Sequence, residues 1–507
     1  MIRPGLKLFY SLIFSFLLLQ TLSAQTRTQA LALGKKRNAI IQLGEIQRYT
    51  VQLQKGQFAV LLLQQQGIDV RAQTFTPDGK LLHDFDTPDK KVGPEIIVID
   101  GWEGGTYQLE VRPVGKKRRI KQGNYTIKLE GINSDLNAQL EQALYLISKE
   151  RHIPGFAVSV VDGNGVLFKK GFGYANLAQG TPYTTETIQN IGSISKTLIG
   201  LSLMKLVEQG KLSLETPINE VLPFEVINPH YPEIPITIKH LANQTSTIKE
   251  TKDYERSYLL TEQVQLDRHG FHRSEYKNFK AASEHDKMPM DSFLFNIVAK
   301  EGEWYRKRNF LKIPPGTAFH YTNVGSTLAA YIVELVSGQG FDAFTQQHIL
   351  SPLGLKASGW SFDQVDLAQH ATLYGIYKKP FPKYTLITYP DGGLITSTSD
   401  LSRYLVELIK GYNGKSKLLS AASFQEMMVK QQFKEEGSGY GIFWEETTDK
   451  RLGHNGGDPG IVSMMYYNPK TKIGTTFLAN VLPASPETRL QFIRIIRMLR
   501  HYERHFN

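Results

Sequence analysis

The sequence predicts a two-part chain of α/β (α+β) class: an all-β sandwich followed by a long domain of mixed helices and strands. Three observations carry this. Apolar residues alternate with polar ones from about Ala39 to Leu129, the pattern changes to helical spacing after Asn133-Ser134-Asp135, and 507 residues exceed what one core organises. Apolar residues make up 41% and charged residues 21%, the balance of a globular chain rather than a fibrous or disordered one. The absence of cysteine excludes disulfides, thiol catalysis and cysteine-ligated metal sites. The net charge of +11 does not by itself separate nucleic acid from envelope polymer as a partner.

At the N-terminus, Arg3 and Lys7 precede the apolar stretch Leu8–Leu19, and Leu22-Ser23-Ala24 offers a cleavage site before Gln25. This is the layout of a signal peptide over 1–24, and the stretch is short of the ~20 residues of a membrane span. The expectation is an exported chain, periplasmic or extracellular in a bacterium. It would have no nucleic-acid partner and no integral membrane segment after cleavage.

Residues 25–132 read as the sandwich. Tyr49, Val51 and Leu53 alternate with polar residues, as do Tyr107, Leu109 and Val111, then Tyr125, Ile127 and Leu129; Pro77-Asp78-Gly79 and Gly104-Gly105 punctuate turns. Gly105-Thr106-Tyr107-Gln108-Leu109-Glu110-Val111 resembles the bacterial pre-peptidase C-terminal domain family, which implies an accessory module without chemistry of its own. The run Lys116, Lys117, Arg118, Arg119 and Lys121 reads as a solvated loop between strands.

The second domain, 133–507, opens with an amphipathic helix from Leu136 to Ile153 and strands at Phe156–Val161 and Gly165–Lys169. Its chemistry starts at Ser193-Ile194-Ser195-Lys196, followed by Leu198, Leu201, Met204 and Val207 at helical spacing. Residues three apart share a helix face, so Ser193 meets Lys196 and is the nucleophile candidate, whereas Ser195 points away. Two further elements follow in order: Tyr321-Thr322-Asn323 before a helix from Gly325 to Ser337, and His454-Asn455-Gly456-Gly457 before the strand-like Ile461–Tyr467.

With these three elements the chain closely resembles the serine β-lactamase and penicillin-recognising family, in its class C-like branch, over roughly residues 136–500. Ile153-Pro154-Gly155, Gly171-Phe172-Gly173-Tyr174, Gly210-Lys211-Leu212-Ser213-Leu214, Ser351-Pro352-Leu353-Gly354-Leu355 and Gly392-Gly393-Leu394 extend the match. The resemblance implies a β-lactamase/transpeptidase-like domain: an antiparallel sheet flanked by helices, with an all-helical part. It also implies an acyl-enzyme on Ser193, proton handling by Lys196 and Tyr321, Asn323 orienting the substrate amide and the lysine, and an oxyanion hole from the backbone N–H groups of Ser193 and Gly457. His454, Gly456 and Gly457 complete the substrate side. No cofactor or metal is implied. Free lysine and tyrosine both titrate near 10, so the residues leave open which is the base.

Other motifs fail. There is no G-x-S-x-G elbow, Gly171-Phe172-Gly173 lacks a third glycine and a following helix, and His269 and His272 lack an acidic partner for a metal. Three departures from the family pattern matter. His454 replaces the lysine of penicillin-hydrolysing members and, with an ordinary pKa near 6.5, carries little charge at pH 7. This favours ester, amide or D-amino-acid peptide substrates over β-lactams. Gln244-Thr245-Ser246-Thr247-Ile248 stands where relatives read H-T-S-G-L, so a turn glycine is missing. The polar interval 249–313 reads as a lid insertion. At the C-terminus, Ser485-Pro486-Glu487 starts a helix whose Phe492, Ile495, Ile496 and Leu499 pack on the sheet.

The expected function is an exported serine hydrolase acting on a small molecule or peptide, peptidoglycan fragments among the candidates. A β-lactamase or D-alanyl-D-alanine carboxypeptidase is the alternative within enzymes, and a non-catalytic envelope binder or sensor the alternative outside them. The sequence leaves the oligomeric state open.

Overall fold

The protein, in a computed structural model, is described for residues 28–86, 92–114, 122–261, 276–277, 279–280, 287–375, 377–430 and 439–506. The 1–24 leader, the basic run at 116–121, and His269 and His272 lie outside the described residues. The chain divides into two compact units, Met1–Ser134 and Asp135–Asn507.

In the first unit, β1 (Gln29–Ala30), β3 (Gln47–Leu53), β8 (Gly105–Pro113), β5 (Val70–Phe75) and β6 (Leu81–Phe85) form one sheet in that order; β2 (Lys36–Gln42), β9 (Gln122–Asn133), β4 (Gln57–Gln66) and β7 (Val92–Gly101) form the other. The period of two does what the sequence implies. Tyr49, Val51, Leu53, Tyr107, Leu109, Val111, Tyr125, Ile127 and Leu129 all enter one core between the sheets. Two of the buried tyrosines satisfy each other: the Tyr49 and Tyr125 hydroxyls lie 2.6 Å apart, and Tyr125 donates to Gln47 Oε1 at 2.6 Å. Pro77-Asp78-Gly79 makes the β5–β6 turn, with Gly79 at φ 85°.

The second unit is built on an antiparallel sheet of eight strands. Its order is β12 (Thr181–Pro182), β11 (Val166–Asn176), β10 (Gly155–Val161), β21 (Ile473–Ala479), β20 (Ile461–Asn468), β19 (Leu452–Asp458), β18 (Glu445–Glu446) and β17 (Gly439–Tyr440). The short pairs β13 (Ile188–Asn190) with β16 (Ile395–Ser397), and β14 (Tyr258–Leu260) with β15 (Tyr384–Leu386), lie outside it. Five helices matter for the site: α1 (Leu136–Ser148), α2 (Lys196–Glu208), α3 (Asn323–Ser337), α4 (Thr398–Tyr412) and α5 (Pro486–Tyr502).

Strand alternation sorts these helices to the two faces. Phe477 of β21 meets Phe492 of α5, with ring centroids 5.3 Å apart, while Gly474, of opposite parity, faces Leu405 and Ile409 of α4. Helix α1 is capped by Asp135, which accepts from the Ala138 N–H at 2.8 Å, and α5 by Ser485. Gln491 and Arg494 of α5 tie down the end of α1 and the chain after it, by Gln491 Nε2 to the Ile147 carbonyl at 2.8 Å and Arg494 to Glu150 at 2.6 Å. The arginines interspersed along α5 therefore belong to a packed helix. Among the described residues no helix is long and apolar enough to cross a membrane.

The interval 249–313, expected as a lid insertion, is described mainly at its ends, 249–261 and 287–313. Tyr254, Tyr258, Phe293, Leu294, Ile297, Trp304 and Phe310 are buried in the main core of this unit. Side chains of that size stabilise the fold by about 1.5–3 kcal/mol each when removed from water, which anchors both ends of the interval.

One polar residue fastens the sheet to the loops beside it. Asn480 is fully buried; its Oδ1 accepts from the Gly155 N–H at 2.9 Å, and its Nδ2 donates to the carbonyls of Tyr174 at 3.1 Å and Thr372 at 3.0 Å. Asn480→Ala should lower stability by about 2–3 kcal/mol, because it orphans buried backbone groups. Denaturant unfolding checks this; a loss below about 0.5 kcal/mol would mean other partners replace the amide.

Candidate active site

The nucleophile sits on a 3₁₀ turn, Gly192–Ser195, that feeds directly into α2. In a 3₁₀ turn residues three apart eclipse, so Ser193 and Lys196 lie side by side, and Lys196 Nζ is 3.0 Å from Ser193 Oγ. Ser193 makes no capping bond, so its hydroxyl is left to side chains of the site. Ser195 is buried, and its Oγ accepts from the Leu394 N–H at 3.2 Å, away from the lysine.

The turn is pressed against the end of β19. Gly192 has φ 55°, and a Cβ there would lie 3.0 Å from the Gly457 nitrogen; a Cβ on Gly456 would lie 2.0 Å from the Ile191 carbonyl oxygen. Ser463 Oγ donates to that same carbonyl at 2.6 Å. Glycine is required at 456 because backbone passes over backbone there. The approach brings the exposed Gly457 beside the nucleophile turn, where its N–H and that of Ser193 can serve one oxyanion.

Tyr321 enters from the other side, its hydroxyl donating to Ser193 Oγ at 2.8 Å, with Lys196 Nζ 5.2 Å from the centre of its ring. Gln244, in the segment that departs from the family pattern, holds this motif in place. Its Oε1 accepts from the Thr322 N–H at 2.8 Å, its Nε2 donates to Ser326 Oγ at 2.9 Å, and its carbonyl accepts from the His320 N–H at 2.7 Å. The turn survives the missing glycine by placing Thr247 at φ 68°, with Asn228 Nδ2 donating to Thr247 Oγ1 at 2.9 Å. Asn323 begins α3 and its backbone N–H donates to Glu250 Oε2 at 2.5 Å. Among the described residues no hydrogen bond joins the Asn323 side chain to Lys196.

His454 is buried beside Tyr321, ring centroids 6.3 Å apart. Its Nδ1 is 2.6 Å from the Asn455 carbonyl, which can only accept, so this nitrogen carries a proton; its Nε2 is 3.3 Å from the Tyr440 hydroxyl. Both ring nitrogens are thus engaged within the protein.

Three carboxyl groups that the sequence reading did not single out surround the lysine. Asp391 is buried; its carbonyl accepts from Lys196 Nζ at 2.5 Å, while its carboxylate accepts from Thr327 Oγ1 at 2.9 Å and from the Tyr254 hydroxyl, 2.9 Å from either oxygen. Burial pushes this carboxyl up from its ordinary value, opposed by the Lys196 charge and the hydroxyl donors. Burial raises Glu250 to about 7, against the backbone N–H groups of Asn323 and Val324. Asp458, bonded to Tyr258, is likewise raised by burial to about 7. A signal existed: Asp391 and Asp458 each directly adjoin a matched motif, and Glu250 and Tyr254 open the polar interval.

The structure therefore brings Ser193, Lys196, Tyr321, His454, Gly456 and Gly457 into one site, with Asn323 at the adjoining helix start. An antiparallel sheet with flanking helices and a serine–lysine–tyrosine cluster defines the class as an active-site-serine protein of β-lactamase/transpeptidase fold. Residues 136–497 match the Beta-lactamase family model, and the chain belongs to that family.

Similar proteins include Protein flp of Staphylococcus aureus strain MW2, 24% identical over 356 residues, which cover 69% of this chain and 64% of that protein. The human mitochondrial serine beta-lactamase-like protein LACTB is 26% identical over 408 residues, covering 67% of this chain and 73% of that one. In structure the chain is similar to the octameric penicillin-binding protein homologue of Pyrococcus abyssi (TM-score 0.56, 25% identity, 71% and 77% covered). It also shares the fold of a class C beta-lactamase (TM-score 0.52, 18% identity, 71% and 96% covered).

Two outcomes follow from this geometry. Gly456→Ala should leave the fold intact but lower turnover on the order of 10²-fold, because displacing Ile191 moves the nucleophile turn; a variant with parental kcat would contradict the close-packing argument. Glu250 and Asp458 bind protons more tightly folded than unfolded, so the stability they contribute is full below about pH 4 and is lost as the pH rises to about 7. Glu250→Gln should flatten the fall of Tm between about pH 4.5 and pH 7. An unchanged slope in thermal scans would exclude Glu250 from that titration.

Proposed function

We propose that this protein is an exported serine hydrolase that forms an acyl-enzyme on Ser193 and acts on an ester, an amide or a D-amino-acid peptide. The observation that carries the reading is that Ser193 Oγ is hydrogen-bonded by both Lys196 Nζ and Tyr321 OH, while the third motif supplies a buried histidine with both ring nitrogens engaged. The first half is the apparatus of acyl transfer; the second lacks the fixed cation that would hold a substrate carboxylate.

Ser193 Oγ attacks the carbonyl as its proton passes to the Lys196–Tyr321 pair. The oxyanion accepts from the Ser193 and Gly457 N–H groups, an interaction worth about 3–4 kcal/mol per donor. The pair returns the proton to the leaving group, and water releases the acyl group by the same path. Asn323, at the start of α3 beside Glu250, is the group offered to a substrate amide. The fold is shared with a D-stereospecific amidohydrolase from Streptomyces (TM-score 0.50, 20% identity), so the scaffold accommodates such chemistry.

A turnover panel on the chain lacking 1–24, with Ser193→Ala as blank, tests this. It compares a nitrophenyl ester, D- and L-alanyl anilides, a D-alanyl-D-alanine peptide and a chromogenic cephalosporin. The expected result is Ser193-dependent turnover of the ester or D-anilide at rates at least tenfold above the cephalosporin, about 1.4 kcal/mol in barrier. Preferential cephalosporin cleavage would overturn the argument from His454. Cleavage of the dipeptide alone would make the protein a carboxypeptidase, and silence across the panel would favour a binding role.

A further inference from the structure

We propose that the Asp391 carboxylate is the buried counter-charge of Lys196 and that, held by Tyr254 and Thr327, it is a positioning residue for the proton-handling pair. The inference deepens the acyl-enzyme reading above, on which its catalytic part rests.

The geometry is a closed network. Lys196 is wholly buried, and two acceptors meet its Nζ: Ser193 Oγ at 3.0 Å and the Asp391 carbonyl at 2.5 Å. Both acceptors are neutral, so neither compensates an ammonium taken out of water. The residue that supplies the second acceptor also carries a carboxylate. It is itself buried among hydroxyls: Tyr254 donates to both oxygens and Thr327 to Oδ2, each at 2.9 Å, with the Thr388 hydroxyl beside them. A carboxylate buried among hydroxyls alone lacks a countercharge, and the cation that favours its charged form is Lys196.

The network also connects separate segments of the site. Thr327 Oγ1 bonds both the Asp391 carboxylate and, at 3.1 Å, the Asn323 carbonyl in the first turn of α3. Tyr254 comes from the interval 249–313. Asp391 thus joins the nucleophile helix, the helix after Tyr321 and that interval. Displacing it moves the carbonyl on which Lys196 hangs.

A negative charge at this position raises the affinity for protons of every group facing it. The charged and titratable groups that face Asp391 are Lys196 on α2, Glu250, Tyr254 and Tyr258 from the interval, and Asp458 at the end of β19. Removing the charge therefore moves the acid limb of Ser193 reactivity to lower pH, whether neutral lysine or tyrosinate takes the serine proton.

Two measurements on the full chain test the proposal. The first is a thermal-stability cycle at pH 7 with Lys196→Met, Asp391→Asn and the double variant, which needs no substrate. The double variant should lose clearly less Tm than the two single losses added, because neither charge is left alone; additive losses would overturn the counter-charge.

The second is the pH dependence of Ser193 labelling by an alkyl fluorophosphonate. The Ser193 Oγ–phosphorus bond forms, fluoride leaves, and the serine proton passes through the Lys196–Tyr321 pair to solvent. Asp391→Asn should move the acid limb down by about one pH unit, and Tyr254→Phe, which removes a donor but keeps the ring, should move it the same way by less. Profiles that superimpose on the parent, or move to higher pH, would overturn the positioning role. A parent chain that does not label at all, with the stability coupling intact, would discard the acyl-enzyme reading and leave the counter-charge standing.

Discussion

A lysine carried wholly out of water organises this site. Lys196 has no surface exposure, yet its Nζ touches Ser193, which is only partly buried. Burying an ammonium costs several kcal/mol unless acceptors and charge are supplied. The fold supplies them from segments far apart in the chain: Ser193 on the same turn, the Asp391 carbonyl from the loop before β16, and Tyr321 from the start of α3. Each of these needs its own support, which explains the polar density around them. Gln244 binds the Tyr321–Thr322 segment, and Tyr254 and Thr327 bind Asp391.

The same demand explains the glycines. The 3₁₀ turn that eclipses Ser193 with Lys196 lies flush against β19; Gly456 permits this where a Cβ would collide with the Ile191 carbonyl, and Gly192 supplies the positive φ of 55°. The position of the Gly457 N–H beside the 192–195 turn is thus a consequence of the contact that shapes that turn. Strand end and serine turn are one packing solution.

The readable part of this structure was the part that depends on local order. Period-two alternation identified inward residues such as Tyr49, Leu109 and Ile127, each buried as the pattern implied, because strand geometry alone assigns them a face. Spacing of three joined Ser193 to Lys196 and separated Ser195 from it. The less legible part depends on long-range polar contacts. Tyr254 and Asp391 are 137 positions apart, and neither their spacing nor their residue type marks them as partners. The interval 249–313 is less legible for a related reason: its charge-rich composition describes its surface, whereas its described ends are anchored by a few aromatic residues interspersed among the charges. At Asn323 the motif names the residue but not the direction of its side chain, and Glu250 engages its backbone.

The departure at Thr247 shows how much disruption such a network tolerates. A β-branched residue at φ 68° is strained by roughly 1–2 kcal/mol relative to glycine. The turn nevertheless keeps its form, because its hydrogen bonds are over-determined. The Thr247 hydroxyl accepts from Asn228, its carbonyl accepts from the Leu311 N–H at 2.9 Å, and the neighbouring Gln244 takes three bonds to the Tyr321 segment and α3. Leu311 lies at the far end of the interval 249–313, whose other end supplies Tyr254 to Asp391. The interval 249–313 therefore supports Lys196 through Asp391 from one end and the strained turn from the other. Changes in its length or aromatic anchors consequently act on the lysine as well as on that turn.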